Sequence, residues 1–407
     1  KRIFIVLIRM VLPLFGLGKT FGLPSGQKHE KIKFQLINNL VIVPIEVNST
    51  PLSFVLYTGV STPILFNLSG KDSIQINEVS EMTIQGLGEG EPIKALRSRN
   101  NSFKLGNIQN ESQRLYVVLD KSLNFSTSLG IPIHGIIGYD LFRDFVVEMN
   151  YSSKNIKLYD PEFYKYKRNK KSQTLPLTLI RKKAYVDGKV FLKDSESVAV
   201  RMLVDTGSSD AIWLMENEKI KVPDIFYEDF LGRGLGGEIY GKRTRIKSMK
   251  LGDFALENAK AAFPDKESFN SIKNLGNRNG SLGGEVLKRF NIIFDYRNQQ
   301  ITLRKNGNFS TPFQYNFSGI DLQHDGLRYV AERIANPSGL VTEEEDTFGN
   351  VQILMENTTR LSLVPEIVVS GIRAGSPAAE AGLQEGDVIL AVNGQSIHSY
   401  KLQEVLQ

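Results

Sequence analysis

The sequence predicts a mainly β protein made of two pseudo-symmetric β lobes, followed by a smaller domain of β-strands with short helices. At 407 residues the chain is longer than one hydrophobic core usually supports, and its 41% apolar and 23% charged residues are typical of globular proteins. β-Branched and aromatic residues occur in short runs separated by Gly, Asn, Asp and Ser, which is typical of strands and turns. The third observation is an internal repeat that spans most of the chain.

The repeat consists of four landmarks that follow one another in the same order in two copies. The first is the pair Tyr57-Thr58-Gly59 and Asp205-Thr206-Gly207, which lie 148 positions apart, each directly after an apolar run. The other three landmarks pair segments 86–88 with 234–236, 104–108 with 250–254, and 134–159 with 279–304. We therefore predict two copies of one mostly β domain, at residues 32–160 and 173–305, with helices confined to short pieces such as YDLFRDF and GEVLKRF.

Three segments lie outside the two copies. Residues 1–26 have a basic start, an apolar core interrupted by Arg9, and small residues at the end, which favours a signal peptide; a membrane anchor is the alternative. We therefore expect an exported protein, either periplasmic, on the cell surface or secreted. Residues 161–172 contain YKYKRNKK and are predicted to be a solvated basic linker. Residues 315–407 form the third domain.

The third domain has clear local signals near its C-terminal end. Ser376-Pro377 is expected to open a short helix, Gly382 to end it, and Asn393-Gly394 to form a hairpin turn between two strands.

Composition excludes several kinds of function. Fifty Lys and Arg against forty-four Asp and Glu give a net charge of +6 over the whole chain, which is too dilute for a nucleic-acid-binding surface. The chain has no cysteine, and its four histidines are far apart without a ligand spacing, so we expect no metal. The glycine-rich loops lack the strand-to-helix context of a dinucleotide site, so we expect no cofactor.

The Asp-Thr-Gly triplet suggests hydrolytic chemistry. A carboxylate at the end of a buried strand can bind and deprotonate water. We expect the hydroxyls of Thr58 and Thr206 to hydrogen-bond across the two copies, and Gly59 and Gly207 to let the two backbones approach closely. Two such copies facing each other would place two carboxylates where repulsion makes them share one proton, giving an acid and a base in one site.

The doubled pattern of apolar run, D/Y-T-G-[SV]-S, glycine loop and apolar-apolar-Gly element resembles the aspartic proteases of the retropepsin and pepsin type, over about two thirds of the chain. The segment GSPAAEAGLQEGDVILAVNG resembles a PDZ domain, and the combination is similar to bacterial aspartyl-protease-like proteins with a C-terminal PDZ module. The resemblance implies two lobes with a peptide-binding cleft between them and Asp205 as a catalytic residue. It also implies hairpins over the cleft at 86–90 and 232–237.

Tyr57 departs from this pattern, because it stands where the resemblance implies the first aspartate. A phenol titrates near 10 and cannot share a proton with Asp205 as a carboxylate does, so activity is expected to be lost or impaired. Three interpretations remain open: a homologue whose cleft still binds extended peptide or unfolded protein without cleaving it, an enzyme that pairs Asp205 lobes from two chains, or a variant of an ordinary peptidase. A rigid spacer is a further alternative.

Several other residues have two interpretations each. Ser208 and Ser209 either support the Asp205 carboxylate or cap the backbone. Trp213, the only tryptophan, is expected in the core of the second lobe rather than in a substrate pocket, and His134 is expected to make a packing contact or a local hydrogen bond rather than line the cleft.

The PDZ resemblance implies binding of a partner's C-terminal peptide by strand addition. Segment 346–354, DTFGNVQIL, is the candidate carboxylate loop and strand. A groove helix is expected to begin near Tyr400, and the module is expected to be incomplete at residue 407.

Overall fold

The structure is a computed structural model that describes residues 21–68, 73–88, 90–120, 123–167, 169–192, 197–269, 276–334, 341–345, 351–355 and 358–405. The proposed signal peptide or anchor at residues 1–26 lies largely outside the described residues. The chain divides into two compact units, the second of which comprises Asn124–Ile133, Glu228–Phe230 and Phe313–Gln407. In the described part of the chain, no helix is long and apolar enough to cross a membrane.

The described residues of the first repeat copy form eleven strands and two short helices. The strands are β1 (His29–Lys33), β2 (Gln35–Ile37), β3 (Leu40–Val47), β4 (Thr50–Leu56), β5 (Ile64–Leu65), β6 (Ser80–Ile84), β7 (Ile93–Leu105), β8 (Ile108–Val118), β9 (Gly135–Ile137), β10 (Val146–Asn150) and β11 (Asn155–Tyr159). The helices are α1 (Phe125–Leu129), which belongs to the second compact unit, and α2 (Tyr139–Asp144).

The second copy repeats this series with one α-helix and one 3₁₀ helix. Its strands are β12 (Ser172–Pro176), β13 (Thr178–Ile180), β14 (Lys183–Phe191), β15 (Ser197–Val204), β16 (Ile212–Leu214), β17 (Tyr227–Gly234), β18 (Gly237–Leu251), β19 (Phe254–Pro264), β20 (Gly280–Leu282), β21 (Phe290–Asp295) and β22 (Gln300–Lys305). The helices are the 3₁₀ turn Lys266–Phe269 and α3 (Gly284–Leu287).

The two copies fold with the same topology. Strands in the first lobe are ordered β2-β3-β4-β9-β5-β8-β7-β6, and the corresponding strands in the second are ordered β13-β14-β15-β20-β16-β19-β18-β17. In each lobe a three-residue strand, β9 or β20, inserts parallel to the strand that ends in the Thr-Gly motif. Turns at Gly106 and Gly252, both with positive φ, close the matched hairpins that the KLGNI and KLGDF segments predict. The predicted duplication is therefore confirmed at the level of strand order.

A third sheet of six strands is shared by both lobes, in the order β1-β11-β10-β21-β22-β12. Its central strands β10 and β21 pair antiparallel with Glu148 opposite Ile293. These two residues occupy the same position in the two copies at the offset of 145 seen in the sequence, so the local two-fold axis passes between them. The sheet joins the lobes through buried side chains such as Met149, Ile292 and Phe294.

The second unit contains the C-terminal domain. Its strands and helices are β23 (Ile320–Ile334), β24 (Val341–Glu345), β25 (Val351–Met355), β26 (Thr358–Ile372), α4 (Pro377–Glu380), β27 (Ala391–Val392), β28 (Gln395–Ser396), the 3₁₀ turn Ile397–Ser399 and α5 (Leu402–Val405). Ser376 caps α4, since its Oγ accepts a hydrogen bond from the Ala379 N–H at 3.3 Å. Asn393 and Gly394 both have positive φ in the turn between β27 and β28, as the sequence predicts.

Candidate functional site

Each copy places its motif residue at the same point of the fold, directly after the strand that pairs with the inserted short strand. The Tyr57 N–H donates to Ile137 O at 2.7 Å, and the Asp205 N–H donates to Leu282 O at 2.9 Å. Ser208 N–H bonds Asp205 O in the next turn, as Val60 N–H bonds Tyr57 O. Tyr57 is therefore the structural counterpart of Asp205.

Thr58 and Thr206 lock the two lobes together at this point. The Thr58 N–H donates to Thr206 Oγ1 at 3.0 Å, and the Thr206 N–H donates to Thr58 Oγ1 at 3.1 Å. The hydroxyls in turn donate to Val204 O at 2.5 Å and Leu56 O at 2.6 Å, each in the opposite lobe. This reciprocal set is the cross-lobe hydroxyl pair expected from the sequence, and both side chains are buried.

We predict that Thr206→Val destabilises the fold by about 2 kcal/mol, because valine keeps the shape but leaves the buried Thr58 N–H and Leu56 O without their partner. Urea unfolding measures this change. Thr206→Ser retains the hydroxyl and is the control, with a smaller loss expected. A loss for Thr206→Ser with none for Thr206→Val would show that the methyl group, rather than the hydrogen bonds, stabilises the junction of the lobes.

The ring of Tyr57 lies between the two motif glycines. A Cβ atom added to Gly59 or to Gly207 would overlap the ring, so glycine is required at both positions by the close approach of the phenol. Gly207 belongs to the opposite lobe. The Tyr57 side chain therefore crosses from its own lobe to the other and lies at the junction of the two motifs.

The Tyr57 phenol is neutral in this setting. Burial raises its pKa well above the ordinary value, and the neighbouring Asp205 carboxylate raises it further, whereas Arg278 acts in the opposite direction. A neutral phenol can donate a hydrogen bond, but it cannot take up and release a proton at ordinary pH as a carboxylate does.

Asp205 is a buried carboxyl group, 5% exposed. Burial raises its pKa above the ordinary value, while Arg278, the Gly207 N–H and Lys183 oppose that rise. The Gly207 N–H donates to its Oδ1 at 3.2 Å. Support for the carboxylate thus comes from backbone N–H groups; among the described residues, neither the Ser208 nor the Ser209 hydroxyl bonds to it.

The predicted hairpins meet at their tips. The β6–β7 and β17–β18 connections contact each other, with the Gly236 N–H donating to Leu87 O at 2.8 Å and the Gly90 N–H donating to Gly236 O at 2.5 Å. A side chain at Gly86 or Gly88 would overlap the opposing backbone. The glycines of the second sequence landmark are therefore where the two hairpin backbones touch.

Leu87 connects one hairpin tip to the core of the opposite lobe. It packs against a hydrophobic cluster of the second lobe whose buried members are Trp213, Leu231, Ile239, Ala262 and Phe269. The Trp213 indole N–H donates to Asp210 Oδ2 at 3.0 Å. Trp213 is therefore a core residue of the second lobe, as expected, and Leu87 from the hairpin tip of the first lobe packs against its cluster.

His134 makes a local hydrogen bond. The Ser53 backbone N–H donates to the His134 ring Nδ1 at 3.1 Å, and the His134 backbone N–H donates to Ser53 O at 2.8 Å. In the second lobe, the Arg201 backbone N–H donates to Asn279 Oδ1 at 2.8 Å, and the Asn279 backbone N–H donates to Arg201 O at 2.9 Å. His134 and Asn279 therefore have the same structural role at the start of the inserted strand.

A buried ion network lies behind the second motif. Asp210 contacts Arg243 Nη1 at 2.5 Å and Lys260 Nζ at 3.6 Å, and Lys260 also pairs with Glu285 at 2.8 Å. Burial alone would raise the pKa of Asp210, but Arg243 and Lys260, with the bond from Trp213, lower it to about 2. This carboxylate anchors the segment that follows Asp205.

Two residues beside Asp205 were not identified from the sequence. Lys183 begins β14, whose Tyr185 pairs with Leu203 of β15, so continuing the register places Lys183 opposite Asp205. Arg278 is 8% exposed and donates from Nε to Gly280 O at 3.1 Å. A comparison of the copies could have found them, because Leu40 and Ile133 occupy the matching positions of the first copy.

In the C-terminal domain, the structure describes the proposed peptide-binding strand but not the proposed carboxylate loop before it. Strand β25 pairs antiparallel with β24, but residues 346–350 of the proposed carboxylate loop lie outside the described residues. Helix α5 begins at Leu402, close to the position expected for a groove helix. Leu402, Ile367 and Ile397 form a buried cluster. Over the described ranges, no group of three or more acidic or histidine side chains could hold a metal ion.

Comparison with known proteins gives a family for each region. Residues 43–141 and 186–286 match the aspartyl protease family model, and residues 368–407 match the PDZ domain model. The chain therefore combines two aspartyl-protease-like lobes with a C-terminal PDZ domain. The crystal structure of an aspartic proteinase from Irpex lacteus is similar to it, at 12% identity and a TM-score of 0.43, covering 70% of this chain and 99% of that chain. No curated protein matches the chain.

Proposed function

We propose that this protein binds extended peptides or unfolded protein segments in the cleft between its two lobes, and that it hydrolyses them poorly or not at all. The observation that carries this proposal is the position of the Tyr57 ring. It lies against Gly59 and Gly207 beside Asp205, at the point where the two motifs meet.

The chemistry of water-mediated hydrolysis requires an acid and a base that exchange roles at ordinary pH. A pair of carboxylates sharing one proton meets this requirement, because one is ionised while the other is protonated. In this chain one member is a phenol with a raised pKa, which stays protonated. Position 57 therefore supplies no second carboxylate with which Asp205 could share a proton.

Three features of the lobes support peptide binding. The lobes keep the same topology, the threonine pair keeps them in register, and two hairpins lie tip to tip. A hairpin over a cleft can pair with an extended peptide through backbone hydrogen bonds. We further propose that the PDZ domain takes the C-terminal peptide of a partner and that the protein is exported.

Trp213 provides a test of peptide binding, because it is the only tryptophan and its cluster contacts Leu87 at the hairpin tip. We expect saturable changes in its emission when extended peptides are titrated, since peptide entry must move the tips apart. Trp213→Phe serves as the optical control, with binding then followed by calorimetry. If neither emission nor heat changes with a broad set of extended peptides, the cleft does not bind peptide and a spacer role is favoured.

A further inference from the structure

We propose that the centre of the cleft is an anion site that recognises a carboxylate of the bound peptide, either an acidic side chain or the C-terminal carboxylate, through Lys183 and Arg278. This inference rests on the proposed peptide-binding function and specifies its ligand.

The first observation is a difference between two otherwise matched lobes. In the first lobe, the register of β3 with β4 places Leu40 opposite Tyr57. In the second lobe, the register of β14 with β15 places Lys183 opposite Asp205. The residue that precedes the inserted short strand by two positions also changes, from Ile133 to Arg278. Both cationic positions are therefore in the lobe that holds the carboxylate.

The second observation is the state of the Arg278 guanidinium. The residue is more than nine-tenths buried, and its Nε donates to Gly280 O. Within the described residues, neither Arg278 nor Lys183 forms an ion pair with a carboxylate, although both act on Asp205 from a greater distance. A guanidinium and an ammonium group that lie close together without a paired carboxylate favour an anionic ligand that pairs with them.

The third observation is the charge balance. Arg278 and Lys183 are close enough to act on each other and on Asp205: Lys183 has a lowered pKa because of burial and the nearby Arg278, and Asp205 opposes that change. Among the described residues, Asp205 is the carboxyl group that acts on both Tyr57 and Lys183. Because the phenol at position 57 is neutral, the charges near Asp205 are two cationic side chains and one carboxyl group. Their sum is positive.

A carboxylate is the ligand whose geometry fits this arrangement. Two parallel N–H groups of a guanidinium can bond both of its oxygens, and a lysine ammonium adds a third donor. The Tyr57 phenol is protonated and can also donate. A carboxylate at the end of a side chain or of a peptide is small and planar, so it can enter the cleft without a larger group.

The test compares peptides that differ in one charge. We expect a Glu-containing peptide to bind at least about tenfold more tightly than its Gln counterpart at one position along the sequence, a ratio equal to one charge-assisted contact. Peptides with free and amidated C-termini distinguish a terminal carboxylate from a side-chain carboxylate. The preference should weaken as salt concentration rises.

Variants test the two cations separately. Lys183→Leu and Arg278→Ile introduce the residues of the matching positions in the first lobe, and each should reduce the Glu preference, measured as the ratio of Glu-peptide to Gln-peptide affinity, severalfold. Arg278→Gln is a second variant in case Arg278→Ile does not fold. Asp205→Asn removes the opposing charge and should strengthen binding of the Glu peptide. Lys189→Leu, an exposed lysine on the same strand, is the control.

The outcomes are distinguishable. Equal affinity for Glu and Gln peptides and for free and amidated peptides, unchanged by Lys183→Leu and Arg278→Ile, overturns the carboxylate site but leaves peptide binding intact. Absence of binding by every peptide overturns the proposed function and this inference with it.

Discussion

Replacing Tyr57 with aspartate is expected to raise the rate of unfolded-protein cleavage by about 10²–10⁴-fold at mildly acidic pH, because the substitution supplies the missing acid–base partner. The backbone at Tyr57 and Asp205 already matches, with equivalent bonds to Ile137 O and Leu282 O. Removing the ring also opens the space between Gly59 and Gly207, which an attacking water needs. Cleavage is measured by mass spectrometry of an unfolded protein incubated with each variant.

Two controls isolate the carboxylate in that experiment. Tyr57→Asn removes the ring and opens the same space without adding a charge, so it should give no gain. Asp205→Asn in the Tyr57→Asp background should abolish the gain, because one carboxylate alone cannot serve as both acid and base. A folded Tyr57→Asp variant that shows no increase would mean that the cleft has changed in more than this residue.

Replacing Asp210 with asparagine is expected to destabilise the fold by about 3–5 kcal/mol at pH 7, because it removes the buried carboxylate that pairs with Arg243 and, together with Glu285, with Lys260. The Asp210 carboxyl has its pKa lowered to about 2, whereas an unfolded aspartate titrates near 4. Its contribution is therefore fully present above about pH 4 and is lost as the pH falls towards 2. The difference between wild type and variant should shrink over that window.

Asp187→Asn is the matched control for this prediction. Asp187 pairs with Arg201 at 2.8 Å, but its side chain is largely exposed, so we expect a loss below about 1 kcal/mol. Free energies of unfolding from urea titrations at several pH values compare the two variants. A pH-independent loss for Asp210→Asn would indicate that its hydrogen bond to Trp213, rather than its charge, stabilises the lobe.

The sequence predicted what local patterns and repetition determine. Two copies with the same landmarks fold alike because the same turns and apolar runs specify the same strand order, as the Gly106 and Gly252 hairpins show. The threonine pair followed from the same symmetry, since each hydroxyl has an equivalent target in the other lobe.

Other features depend on contacts between distant segments. The six-stranded sheet pairs β1 with β11 and β10 with β21, and no local pattern specifies such partners. Helix α1 is a single short segment begun by Asn124, whose Oδ1 accepts the Ser126 N–H at 3.0 Å, and its five residues are too few to show helical periodicity.

The cations near Asp205 were missed for a similar reason. In the sequence Lys183 is one of three consecutive basic residues after Ile180, and Arg278 is an isolated charge. Only the register of β14 and β15 and the burial of Arg278 show that both belong to the site.

We propose that the phenol at position 57 leaves a cleft that binds peptides without cleaving them. The most direct measurement incubates the unaltered protein and its Asp205→Asn variant with an unfolded protein at mildly acidic pH and analyses the products by mass spectrometry. We predict that both proteins leave the substrate intact. Fragments that appear with the unaltered protein and are absent with Asp205→Asn would contradict the claim.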